Sequence, residues 1–83
     1  MEHIARTPKQ LGAVIRRERR RQNLTQEQLG ARVRLRQATI SKLEAGEPAT
    51  QLRTLLNVLM ALELELTVRS RTRTTTDAIE DIF

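Results

Sequence analysis

The chain has 83 residues, of which 39% are hydrophobic and 30% are charged, a balance typical of one small globular domain. Cysteine is absent and His3 is the only histidine, which excludes a cysteine nucleophile and argues against a zinc site. We therefore expect a protein that is not an enzyme and that needs no cofactor or metal.

No apolar run approaches the roughly 20 residues that span a bilayer, and no signal peptide is visible, so we expect a cytoplasmic protein without a membrane partner.

The positive charge lies in the first part of the chain. Residues 1–50 hold eleven Lys and Arg against five Asp and Glu, a net charge of +6, whereas residues 51–83 have a net charge of −1. A basic half on a small domain is typical of a protein with a polyanionic partner. The same charge is also compatible with a solvated surface that binds nothing.

The first predicted helix begins with a capping pattern. Residues 1–6 have no periodic pattern, and we expect a flexible N-terminus there. Thr7 is a good N-cap, Pro8 fits the first helical position and Gln10 completes a capping box. Apolar residues then recur at helical spacing, and the helix is predicted to end near Gln22. Asn23 follows, and asparagine tolerates the left-handed conformation that closes helices.

Three further helices are predicted from the same kinds of signal. Thr25 and Gln28 form a second capping pattern, and a short connection at 34–36 separates the second helix from a third, at 37–45. Leucines at helical spacing predict a fourth helix at 51–61. The cap of the fourth helix is expected at Thr50, and its inward stripe at Leu52, Leu55, Leu56 and Leu59.

After the fourth helix the apolar period changes from helical spacing to strict alternation. Residues 62–69 alternate apolar and polar side chains, which predicts a strand in an otherwise helical chain. A lone strand would leave its backbone groups unpaired, so we expect it to pair with the same strand of a second copy. The side chains expected to pack at that dimer interface are Leu64, Leu66 and Val68.

The predicted fold class is therefore mainly α. It is a small bundle of four to five helices with a helix-turn-helix, plus one C-terminal β-strand that pairs across a homodimer. We divide the chain into a flexible N-terminus (1–6), a DNA-binding domain (7–62), a dimerisation strand (63–70) and a flexible tail (71–83). The acidic end of the tail, 77–83, is either a docking motif or a disordered terminus.

The second helix of a helix-turn-helix lies in the major groove of DNA, with its first turn at the base edges. Arg and Gln are suited to guanine and adenine, and small side chains allow close approach. The residues expected to read bases are Arg36, Gln37, Ala38, Thr39 and Ser41. Phosphate contacts are expected from the start of the preceding helix, the third helix and one side of the first helix, at Thr25, Gln26, Lys42, Arg16 and Arg20. The arginine run 16–21 is also compatible with a solvated helix face.

Two stretches, LTQEQLG at 24–30 and QATISKLEAG at 37–46, resemble the phage-repressor-like (XRE) helix-turn-helix family, and the resemblance covers residues 8–62. It implies that Gln26 binds phosphate, that Gln37 reads a base, and that Glu44 and Gly46 end the recognition helix. The chain departs from the family pattern at Arg34, where glycine is frequent, and at Arg36, where a capping Ser or Asn is usual.

The alternating segment Leu-Glu-Leu-Glu-Leu-Thr-Val at 62–68 resembles the end of HipB-type antitoxins. That resemblance implies a nucleoid-associated bacterial protein that binds a palindromic operator as a homodimer, represses its own operon and neutralises a HipA-type kinase toxin. The alternative is a stand-alone dimeric repressor without a toxin.

Overall fold

The computed structural model describes residues 2–71 and confirms the mainly helical class. It has four helices in that range: α1 (Pro8–Arg21), α2 (Gln26–Val33), α3 (Gln37–Glu44) and α4 (Leu52–Ala61). The predicted tail residues 72–83 lie outside the described residues. No helix between residues 2 and 71 is both long enough and apolar enough to cross a membrane.

The predicted caps fix the starts of α1 and α2. The Thr7 hydroxyl accepts a hydrogen bond from the Gln10 backbone N–H at 3.0 Å. The capping box predicted there is wrong in its second half, because Gln10 Oε1 accepts from the Arg6 N–H at 2.6 Å and not from Thr7. Thr25 and Gln28 form a complete capping box, since each side chain accepts from the backbone N–H of the other residue. These short-range bonds satisfy N–H groups that a helix leaves open, and they need no tertiary partner.

Two of the inter-helix connections contain residues in the left-handed backbone conformation. Asn23 (φ 59°) follows α1, as its residue type predicts, and Arg34 (φ 58°) closes α2. Arg34 stands where glycine is frequent in the resembling family, and a non-glycine residue costs about 1–2 kcal/mol in this conformation. The third helix begins without a side-chain cap at Arg36, as its residue type predicts.

The prediction that Thr50 caps α4 is wrong. The helix α4 begins one residue later, after Gln51, and it has no side-chain cap. The Thr50 hydroxyl instead donates to the Glu47 carbonyl oxygen at 3.1 Å, because the loop between α3 and α4 folds back on itself there.

The core is aliphatic and receives residues from all four helices. Its buried members are Ile15, Leu29, Ile40, Leu43, Val58, Leu59 and Leu62. The predicted inward stripe of α4 is partly wrong, because Leu52 and Leu56 are 63% and 40% exposed. The helix is apolar on most of its circumference, and the face that begins at Leu55 is the one that packs inward.

The segments at the two ends of the described chain pass close to each other without forming a strand. Residues 64–71 have no regular secondary structure, and Arg69 makes an ion pair with Glu2 at 3.0 Å. Leu64 packs against the core, whereas Leu66 is exposed and Val68 is 91% exposed. The packing of these three side chains at a dimer interface stays a prediction. Pairing with a second copy stays a prediction.

The N-terminal segment is also anchored to α1 through a buried carboxylate. Glu18 accepts from Arg21 Nε at 3.0 Å and lies 3.5 Å from His3 Nε2. Burial by itself raises the pKa of Glu18, but the hydrogen bonds and charge of Arg21, with smaller contributions from His3 and Gln22, bring that pKa below its ordinary value. The carboxylate is therefore ionised at neutral pH.

Candidate nucleic-acid interface

A close approach of two backbones joins α2 to α3. The Leu35 N–H donates to the Gly30 carbonyl oxygen at 2.9 Å, and a Cβ at Gly30 would lie 2.5 Å from the Leu35 carbonyl oxygen. Only glycine fits this position without a shift of the backbone. The mid-helix glycine is therefore explained by the tight turn that orients α3 against α2.

One face of α3 is buried and the other is open. Ile40 and Leu43 have essentially no exposed surface. All of the residues expected to read bases lie on or beside the open face, with Thr39 half-buried and the others exposed: Arg36, Gln37, Ala38 and Ser41. Lys42 is exposed next to them. The first turn of α3 is therefore accessible to a large ligand.

The N-terminus of α2 lies beside the first turn of α3. Gln37 Nε2 donates to Gln26 Oε1 at 3.5 Å, which brings the first side chains of the two helices together. Thr25 caps α2 and is exposed, and the backbone N–H groups of Gln26 and Glu27 have no hydrogen-bond partner within residues 2–71. Such a helix start is suited to an anionic oxygen.

A buried ion pair that the sequence prediction missed lies behind this surface. Arg19 Nε donates to Glu44 Oε2 at 2.6 Å, and Arg19 Nη2 donates to Glu44 Oε1 at 2.9 Å. Arg19 Nη1 also donates to the Leu24 carbonyl oxygen at 2.8 Å. The bond to Glu44 raises the pKa of Arg19, burial opposes it, and the charge of Glu44 adds to the rise. A signal existed, since Arg19 follows Leu11 and Ile15 at intervals of four residues.

The ion pair is connected to the open surface through one side chain. Gln26 Nε2 donates to Glu44 Oε1 at 3.2 Å, while Gln26 Oε1 accepts from Gln37. Because Glu44 is held by Arg19, the orientation of the Gln26 amide is set from inside the protein. Glu44 is the last residue of α3, and its carboxylate also positions Gln26, the residue beside Gln37.

The arginine run on α1 divides between the interior and the surface. Arg19 and Arg21 are bound to Glu44 and Glu18. Arg16 and Arg20, the two arginines expected to bind phosphate, are exposed and line one surface cavity beside Ala45. No cluster of His, Asp or Glu side chains between residues 2 and 71 could hold a metal ion.

A family model described as helix-turn-helix matches residues 15–68 of the chain, which is more than half of its length. Similar solved structures include a single-residue variant of HipB in complex with an O2 20mer, at a TM-score of 0.80 and 29% identity, covering 87% of this chain and 100% of that chain. A complex of HipB with an O4 20mer has a TM-score of 0.79 at 30% identity and covers 86% of this chain and 100% of that one.

A HipA-HipB-O2-O3 complex is similar as well, at a TM-score of 0.78 and 30% identity over 86% of this chain and 100% of that chain. A comparison with curated proteins gave no match. The matched residues contain the capped α2, the tight turn and the open face of α3 described above. The chain therefore belongs to the helix-turn-helix family, in its phage-repressor-like (XRE) branch, and within that branch it is similar to HipB.

Proposed function

We propose that this protein is a sequence-specific DNA-binding repressor that places α3 in the major groove of its operator. The observation that carries the proposal is the open first turn of α3, in which Gln37 is joined through Gln26 to the buried carboxylate of Glu44. Because these hydrogen bonds restrict the Gln37 side chain before DNA binds, Gln37 can contact one base without a large further loss of conformational freedom. The basic charge of residues 1–50 supports a polyanionic partner.

In this proposal the exposed residues have different roles. Gln37 pairs with adenine, Arg36 with guanine, and the small side chains nearby contact the base edges: Ala38, Thr39 and Ser41. Phosphate groups are bound at Thr25, Gln26 and Lys42, which fix the register of the protein on the duplex. The arginines Arg16 and Arg20 add contacts from α1.

We expect the Gln37→Ala substitution to weaken operator binding by about 1–3 kcal/mol and to relax specificity at one base position. The physical reason is the loss of a bidentate contact to one base. Fluorescence anisotropy with the operator and with a set of single-base variants measures both effects. Asn57→Ala, an amide truncated on the exposed side of α4, is the matched control and should change neither quantity. Equal affinity and equal specificity for Gln37→Ala and the control would contradict the role of Gln37.

The proposal includes a homodimer and a near-palindromic operator with half-sites about one helical turn apart, or a multiple of it. Its structural support is the segment 64–71, which has no regular secondary structure, exposes Leu66 and Val68 and forms no ladder within residues 2–71 of its own chain. A second copy would supply both the backbone partner and an apolar surface.

We expect Leu66→Pro to shift the chain from dimer to monomer in sedimentation, because proline removes a donor from the middle of the strand. Ser70→Pro is the matched control, since it lies at the end of the predicted strand, where proline is tolerated. Both residues lie outside the helices, so circular dichroism of the two variants should match the wild type. An intact Leu66→Pro dimer would contradict the strand pairing.

The proposal extends to the role of an antitoxin that binds a HipA-type kinase. Its support is the similarity to HipB in a complex that also contains HipA. The test is whether a kinase-like reading frame adjoins the gene and whether its product co-elutes with this chain. Co-elution supports the antitoxin role. Operator binding without such a frame favours the alternative, a stand-alone dimeric repressor.

A further inference from the structure

The surface of α1 that faces away from the core carries a row of positive charges. Lys9, Arg16, Arg17 and Arg20 follow one another at helical spacing, with Ala13 between them, and all are exposed. They line one surface cavity together with Glu44 and Ala45. Residues at such intervals share one side of a helix, so the row is a continuous surface. We call these four basic residues the α1 row.

The α1 row lies beside the far end of the helix that is proposed to read bases. Ala45 directly follows α3 and is exposed, like Gln37 and Ser41, which precede it by eight and four residues. The three therefore continue along one side of the helix. The contact with α1 is close, because a Cβ at Gly12 would lie 2.5 Å from the Glu44 carbonyl oxygen. The open face of α3 is thus flanked by α2 at its start and by the α1 row at its end.

The charges of the α1 row are available to a ligand. Arg19 and Arg21, on the same helix, are held by carboxylates, but no member of the row makes an ion pair within residues 2–71. Among residues 2–71, Glu44 is the only acidic residue that lines the cavity, and its two oxygens already accept from Arg19 and Gln26. The charge of Glu44 is balanced by Arg19, so the four cationic side chains of the α1 row form a strongly positive surface.

We infer that the α1 row is a second binding surface for the phosphate backbone of duplex DNA, separate from the contacts at the start of α2. The inference rests on the proposed function and extends it from two arginines to a four-residue surface. From Lys9 to Arg20 the helix rises by about 16 Å. One strand of B-DNA carries a charge about every 3.4 Å along its axis, so the row spans several successive phosphates.

The test compares two triple variants of the full chain that lose the same charge. Arg16, Arg17 and Arg20 are replaced by glutamine in the first variant, and Arg32, Arg53 and Arg71, which are exposed elsewhere and lie outside the ion pairs of residues 2–71, are replaced by glutamine in the second. The probes are a duplex covering the promoter of the chain's own gene and a shuffled duplex of equal composition. Affinity is measured by anisotropy over a range of salt concentrations.

The α1 variant should lose about 0.9 from the log–log salt slope for each phosphate contact removed, and about 100-fold or more in affinity at 0.1 M salt. Its preference for the promoter duplex over the shuffled one should stay unchanged, since phosphates carry no sequence information directly. In an ethylation-interference experiment, ethylation of certain phosphates should prevent binding of the wild type but have no effect on binding of the variant. The control variant should keep the wild-type slope.

Three results would overturn the inference, and they are distinguishable. Equal slopes and equal interference patterns for the two variants, with wild-type binding intact, would overturn the α1 surface alone. A wild type that does not distinguish the promoter duplex from the shuffled one would overturn the proposed function, and the α1 surface with it. A single-stranded RNA serves as a third probe. If the α1 substitutions lower the salt slope for this RNA but not for the duplexes, the assignment to duplex DNA is overturned.

Discussion

Replacing Glu44 with alanine is expected to lower the free energy of unfolding by about 3–5 kcal/mol, because it leaves the guanidinium of Arg19 buried without a counter-charge. Arg19 and Glu44 are both buried and make two hydrogen bonds to each other. The bond from Arg19 to the Leu24 carbonyl oxygen remains after the substitution, but it does not neutralise the charge. Urea unfolding followed by circular dichroism at neutral pH measures the loss.

The control removes both charges at once. A double variant, Arg19→Met with Glu44→Leu, fills the same space with apolar side chains and should be more stable than Glu44→Ala alone, because breaking one side of a buried pair costs more than replacing the pair. The single variant Arg19→Met gives the loss in free energy of unfolding that the Arg19 change causes alone. If the double variant is less stable than Glu44→Ala by that same amount, the two residues act independently and the expectation fails.

The double variant also separates stability from function. It lacks the carboxylate that accepts from Gln26, so the amide beside Gln37 is no longer fixed. We therefore expect operator specificity to decline even if stability is restored.

Local signals in the sequence predicted most of the helical framework, because they act over three or four residues. The Thr7 cap, the capping box of Thr25 and Gln28 and the left-handed Asn23 are examples, since each depends on residues near it in the chain. The recognition helix could be placed for the same reason. By contrast, Arg19 and Glu44 are 25 residues apart, and their bond depends on the packing of α1 against the end of α3. Their inward positions could be suspected from spacing, but their pairing could not.

The orientation of α4 shows a second limit of sequence patterns. Leu52, Leu55, Leu56 and Leu59 fit one helical stripe, yet Leu55, Val58, Leu59 and Leu62 fit another equally well. Periodicity does not choose between them when most of the helix is apolar. Packing against α2 and the rest of the core selects the second stripe, which leaves Leu52 and Leu56 exposed.

A glycine that carries no turn signal determines how closely α1 approaches α3. We expect Gly12→Val to destabilise the fold by about 3 kcal/mol, the upper end of the usual range for overpacked positions. A Cβ at Gly12 would lie 2.5 Å from the Glu44 carbonyl oxygen and 2.6 Å from that of Leu43. Both obstacles are backbone atoms, so they cannot move aside as a flexible side chain could, and α1 must separate from α3.

Gly12→Ala and Ala13→Val serve as controls, with all three variants compared by urea unfolding. In an open helix Gly12→Ala would add about 1 kcal/mol of stability, so a loss of stability identifies the steric contact. Ala13 is exposed on the next position of α1, and Ala13→Val should cost well under 1 kcal/mol because only helix propensity changes there. A gain in stability for Gly12→Ala would show that α1 and α3 leave enough space between them for a Cβ at this position. The geometry that places the α1 row beside the recognition helix would then lose its structural basis.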